Sequence, residues 1–149
     1  AAYRCVVTVR SRSDEVRVSA RRWIVPLVAW TLFLWSSRIR NVLANDDLDS
    51  FGLAWRLGAA IVFLALALVC AVWLWRGRPG ALSLGVLAGW TVAYWLVRGT
   101  GILLDGNHAA GFKVIHTVLM AVSLGLVLLA AHGVGKTVDD RLGVSSANR

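Results

Sequence analysis

Acidic residues are scarce in this chain. Eight Asp and Glu stand against sixteen Lys and Arg, which leaves a formal net charge of +8. Charged residues make up only 16% of the 149, whereas soluble domains carry closer to a quarter. The long apolar runs contain no Asp or Glu, which excludes a buried carboxylate relay of the pump type. Only two cysteines occur, Cys5 and Cys70. Two are too few for a disulfide framework, and their spacing matches no metal motif. Methionine occurs once, at Met120, and the chain starts at Ala1. That start reads as a segment cut from a longer chain, or as one set by something other than Met. There is no nucleophile elbow, no HExxH and no CxxC. The expectation is therefore a protein that is not an enzyme, with no catalytic residue, no metal and no cofactor.

Apolar side chains are what the chain has in quantity. They form 58% of the residues, eight of them Trp, and the mean hydropathy is +0.66. Such a composition excludes disordered and collagen-like chains and an ordinary soluble enzyme domain. A pI near 11.0 would suggest nucleic acid in a polar chain. In a chain this apolar, basic residues set orientation in a membrane instead. The expected partner is the lipid bilayer, and no nucleic acid.

Four segments have the length of a membrane span, about 20 apolar residues for ~30 Å of hydrocarbon. They lie at about 23–44, 55–75, 80–104 and 113–134. The uncharged stretches are Leu57 to Trp75, Gly80 to Val97 and Val114 to Gly135. The first span qualifies if Arg38 and Arg40 near its end reach up to the interface. A cleaved signal peptide is the competing reading for that segment, but the two arginines would sit just before the cleavage site. A soluble helix bundle needs a polar face on every helix, and the second segment has none. Short links, with the sharpest turn at Pro79-Gly80, put sequential helices side by side. The sequence thus predicts an all-α membrane protein, a four-transmembrane-helix antiparallel bundle over residues 23–135. Residues 1–22 read as a flexible basic tail, and 136–149 as a polar tail.

Basic residues give the orientation. Arg4, Arg10, Arg12, Arg17, Arg21, Arg22, Arg76, Arg78, Lys136, Arg141 and Arg149 fall on the side of the termini. Arg38, Arg40, Arg56, Arg98 and Lys113 fall on the other, with Asp46, Asp47, Asp49 and Asp105. That bias predicts a multi-pass protein of the inner (plasma) membrane with both termini cytoplasmic.

Two constellations stand out. Ala81, Gly85, Gly89 and Ala93 recur every fourth residue and make a ridge of small side chains, with a GxxxG at Gly85 and Gly89. Such ridges let helices approach closely in lipid. The ridge is expected to pack on the chain's own neighbouring helices, or to be a seam for a membrane partner or a second copy. The other constellation is an outer-leaflet cluster of Arg38, Arg98 and His116, with Asp105 and the loop acids nearby. An arginine in hydrocarbon costs roughly 2.5–3.5 kcal/mol at the bilayer centre, so Arg98 is expected to pair with an outer-side acid or to bind an anion or a quinone carbonyl. Trp30 and Trp90 fall near mid-bilayer. They are expected to fill the core and to bond to Thr31, Thr91 or a carbonyl, or else to line a pocket for a flat apolar ligand.

Two other features do not carry chemistry. His116 and His132 lie ~24 Å apart on one helix, so they cannot share a haem iron. Gly135-Lys136-Thr137 imitates a phosphate-binding loop, but the required earlier Gly is Ala130 and no strand precedes it. Function is expected to be that of a non-catalytic accessory or assembly subunit of a membrane complex. The alternative is binding or transport of a small molecule (quinone, lipid or anion) through the Arg/His cluster.

Overall fold

The computed structural model describes the backbone of residues 2–44, 50–77 and 80–147, and the side chains of 21–44, 50–77 and 80–135. Asp46, Asp47, Asp49, Arg78 and Pro79 lie outside the described residues. Among those described there is helix and no strand. The helices are α1 (Ala2–Leu43), α2 (Ser50–Trp75), α3 (Ala81–Leu104) and α4 (Ala110–Ala147). A π-helical turn, Trp95–Gly99, interrupts α3.

Three helices are long and apolar enough to cross a membrane: Ser50–Trp75, Ala81–Leu104 and Ala110–Gly135, with mean hydropathies of 2.7, 1.3 and 2.4. These spans mark the chain as a membrane protein. The apolar part of α1 falls short of the same measure, because Arg38 and Arg40 follow fifteen residues after Trp23 begins it. The outward faces agree with a lipid surround. Phe33, Ile61, Leu68, Leu96 and Leu128 are each more than half exposed, a display that water would not tolerate over so wide a surface.

The backbone of residues 2–22, read from the sequence as a tail, is helical and continues α1. No Pro or Gly occurs there, and the apolar span already supplies the costly helix nucleus, so only propagation is needed. The C-terminal tail likewise continues α4 to Ala147. The first Pro of α1 is Pro26. It has no amide hydrogen and withdraws one bond from the helix ladder.

The core is a set of inward stripes at helical spacing. From α1 come Leu27, Thr31 and Trp35; from α2, Ala60, Phe63, Ala67 and Cys70; from α3, Leu84, Leu87 and Thr91; from α4, Ser123, Val127 and Ala130. α1 packs against both α2 and α4. Small side chains at Ala59, Ala60 and Ala67 of α2 are buried in this core. The threonine hydroxyls are satisfied locally: Thr31 Oγ1 donates to Leu27 O at 2.8 Å, and Thr91 Oγ1 to Leu87 O at 2.7 Å. Trp30 therefore finds a different partner from the expected ones. Its Nε1 donates to Ser123 Oγ on α4 at 3.0 Å. Trp90 is 39% exposed and does not fill the core.

The small-residue ridge of α3 does not pack within the chain. Ala81, Gly85, Gly89 and Ala93 are all exposed, and a Cβ built on Gly85 or Gly89 meets nothing within 4 Å. α3 is oriented by its large residues: Leu84, Leu87 and Trp95 are buried and turn the ridge outward. Close backbone approaches occur at other glycines. A Cβ on Gly99 would lie 2.6 Å from Met120 Sδ, and one on Gly133 would strike the Trp23 ring.

Candidate functional site

The site lies one to two turns inside the ends of three helices. Arg38 is five residues before the end of α1, Arg98 six before the end of α3, and His116 six after the start of α4. At 1.5 Å per residue each is roughly 8–9 Å from its helix end. The three side chains line one cavity of about 40 Å³. Trp35, Tyr94 and Trp95 form its aromatic wall, and Leu34, Ile102 and Leu119 its aliphatic one.

The aromatic wall is rigid because it continues the core. Trp35 stacks on Phe63 with ring centroids 4.0 Å apart and planes 11° apart. Tyr94 meets both rings edge-on, at 5.1 and 5.3 Å. Offset stacks and edge contacts of this kind hold aromatic rings in one arrangement. The π turn places Trp95 and Arg98 in the widened stretch of α3, and Gly99 at its end lets Met120 of α4 come close. Such turns concentrate at functional positions.

His116 is 9% exposed. Its Nδ1 lies 2.9 Å from Phe112 O. A carbonyl only accepts, so Nδ1 carries the proton, and in the neutral ring Nε2 is then a bare acceptor. That Nε2 is buried and has no hydrogen-bond partner among the described residues. A buried polar atom left unpaired costs about 1–3 kcal/mol.

Arg98 does not find the expected acid among the described residues. Asp105 is already engaged at the end of α3. It accepts from the Asn107 amide at 2.9 Å, and its Oδ2 lies 3.2 Å from His108 Nδ1. The Asn107 amide, and after it the charges of His108 and Lys113, hold the Asp105 carboxyl below the usual carboxylate range. Lys113 Nζ donates to Leu103 O at 3.1 Å and so serves a free carbonyl of the α3 terminus. Of the four ligand-binding residues expected from the sequence, Arg38, Arg98 and His116 are brought together, and Asp105 is not among the cavity residues. Tyr94, Trp35 and Trp95 are the neighbours that sequence reasoning did not attach to the cluster. Trp95 and Arg98, three apart on one helix, offered the available signal. Arg40 is exposed, on another face of α1. Among the described residues no three of His, Cys, Asp and Glu come together.

The chain matches no known protein family, no curated protein and no solved structure. The functional reading rests on the cavity alone.

Proposed function

We propose that this is a multi-pass membrane protein whose cavity binds a small anionic molecule, a binding or carrier role rather than an enzymatic one. One observation carries the proposal. Arg38 of α1 and Arg98 of α3 border a single, mostly apolar cavity with His116, and no acid of the described residues joins them. Paired cations below a helix end, with no acid of the described residues beside them, would be matched by an anion that brings its own charge. The reading includes four crossing helices in an antiparallel bundle, with both termini cytoplasmic. In support, contacts between α1 and α4 run in opposite chain order: Trp23 meets Gly133, Trp30 meets Ser123, and Arg38 shares a cavity with His116.

The test uses the purified full chain in mild detergent, with hexyl phosphate, hexyl sulfate and hexanoate against neutral hexanol. The anions should raise the unfolding temperature and hexanol should not. Arg38→Gln and Arg98→Gln should each weaken anion binding at least tenfold while the protein stays folded, since a hydrogen bond to a charged group is worth about 1.5–3 kcal/mol. Equal stabilisation by hexanol, or unchanged affinity in both variants, would refute the reading.

The accessory-subunit reading has one observation in its favour, the outward ridge of Ala81, Gly85, Gly89 and Ala93. It requires Gly89→Leu to change oligomeric mass or the set of co-purifying membrane proteins.

A further inference from the structure

We infer that the ligand is a short-chain organic anion, which enters the cavity apolar end first and leaves its charge at a rim of three arginines, Arg38, Arg56 and Arg98. This rests on the anion-binding reading above and narrows it to one chemical class.

The first ground is the order of residues along each helix. Arg38 is three residues beyond Trp35, and Arg98 three beyond Trp95, in both cases toward the helix end. Three residues are ~4.5 Å along a helix axis. On α4, Leu119 is three residues deeper than His116. Of the aromatic and aliphatic residues that border the cavity, Leu34, Trp35, Tyr94, Trp95 and Leu119 therefore lie deeper than the Arg or His of their own helix. Ile102 alone stands nearer the end. The site is charged at one end and apolar at the other, and a ligand complementary to it is polarised in the same way. An inorganic anion has no apolar end to set against the aromatic wall.

The second ground is a third arginine. Arg56 is six residues after the start of α2 and seven before Phe63. Seven residues are about two turns, so Arg56 and Phe63 share a face of α2. Phe63 is 1% exposed and stacks on Trp35, so that face is the inward one. Arg56 is half-buried, as are Arg38 and Arg98. Its charge is felt at both Arg38 and Tyr94. α2 thus adds a cation beside the two that border the cavity, and three cations from three helices favour a charged head over a neutral one.

The third ground is room. One water-sized group needs about 10–15 Å³, so about 40 Å³ takes roughly three, the apolar end of an acid of about four or five carbons. α1 and α3 each pack on α2 and α4 rather than on each other, and the cavity lies between α1, α3 and α4. A long acyl chain would have to leave between packed helices. A short acid has no such need, although a fatty acid of the bilayer carries the same head.

The experiment titrates the full chain in mild detergent with straight-chain carboxylates from acetate to decanoate. Inorganic phosphate and the matching 1-alkanols run alongside, and the rise in unfolding temperature reads affinity. Affinity should rise about fourfold per added carbon, as burial of a methylene predicts, and level off near butanoate or pentanoate. Phosphate should bind roughly tenfold more weakly than butanoate, for want of buried methylenes. Arg56→Gln should weaken every carboxylate by the same factor, about threefold for a partly exposed charge pair. Leu119→Phe should bring the levelling forward by about one carbon and Leu119→Ala should delay it by about one; either variant suffices if the other does not fold. A rise that continues through decanoate and ignores the Leu119 variants means a fatty acid of the bilayer and overturns the inference. Equal affinity for acetate, butanoate and phosphate overturns it and leaves the anion site standing, as does an Arg56→Gln protein with unchanged affinity. A length dependence that the alkanols share in full is partition into the micelle and also overturns it. Absence of all anion binding removes both readings.

Discussion

At the scale of single residues, charge decided what could be read from sequence and what could not. Arg98 was identifiable as costly because nothing in its run offsets it. Its pairing was not legible, because Asp46, Asp47, Asp49 and Asp105 are equivalent on paper until the loops close. The loop closes on Asp105, through the Asn107 amide and His108. His116 was legible as a polar residue near a helix start, but its free Nε2 depends on the bond its other nitrogen makes to Phe112 O. The Asp105 carboxyl has a titration consequence. Its folded pKa lies below the ordinary value, so its contribution to loop order is present above the ordinary carboxylate range. It is lost as the pH falls through that range, near about 4, toward the lowered folded value. Amide hydrogen exchange at Asn107 should therefore quicken in acid beyond its intrinsic rate change. Asp105→Asn should flatten that response, and an identical acid response in the variant would show that another group controls the loop.

At the scale of helices, the uncharged run from Leu57 to Trp75 marked a span directly, and α2 is that span. Helix faces were harder to read. A four-residue repeat of small side chains looks like a packing seam, yet α3 turns Leu84, Leu87 and Trp95 inward and leaves the repeat outside. Small residues do lie in the core, but at Ala60 and Ala67 of α2, interleaved with Phe63 and Cys70. The close-contact glycines, Gly99 and Gly133, are isolated from any such repeat. Their role comes from Met120 and Trp23 opposite them, which no local pattern encodes. Alanine substitutions separate these positions. Gly133→Ala should cost about 1–3 kcal/mol, as overpacking against a ring does. Gly99→Ala should cost less, because the Met120 thioether is flexible and can move aside. Gly89→Ala should be neutral or stabilising by roughly 0.5–1 kcal/mol, the helical gain over Gly. Thermal unfolding in detergent ranks the three, and a Gly133→Ala protein as stable as Gly89→Ala would show that the Trp23 contact yields.

At the scale of the whole molecule, helical class and membrane character were legible because apolar runs of this length have few alternatives. The extent of α1 and α4 beyond the spans was not, since a polar helix that continues an apolar one carries no periodic face of its own. The proposed topology rests on the asymmetry of basic residues. Reporters placed after Gly77 and after Arg149 should read cytoplasmic, and one inserted after Ser50 in the full chain should read external. An external reading at Arg149 would refute four crossings.

The contacts of α1 bear on the order in which the chain is completed during biosynthesis. Its apolar segment precedes the three spans in the chain and is the least apolar of the four. Its Trp30 N–H is satisfied by Ser123 on the last helix, and Trp23 rests against Gly133 there. Of the four apolar segments, the one made earliest therefore gains its full set of partners last, and on the four-crossing reading it must hold its place until then on apolar transfer alone. A truncated chain ending after Ser50 lacks those partners and should give a mixed orientation where the intact chain gives a single one. On the proposed four crossings, insertion of α1 is in this sense a provisional event that α4 makes permanent.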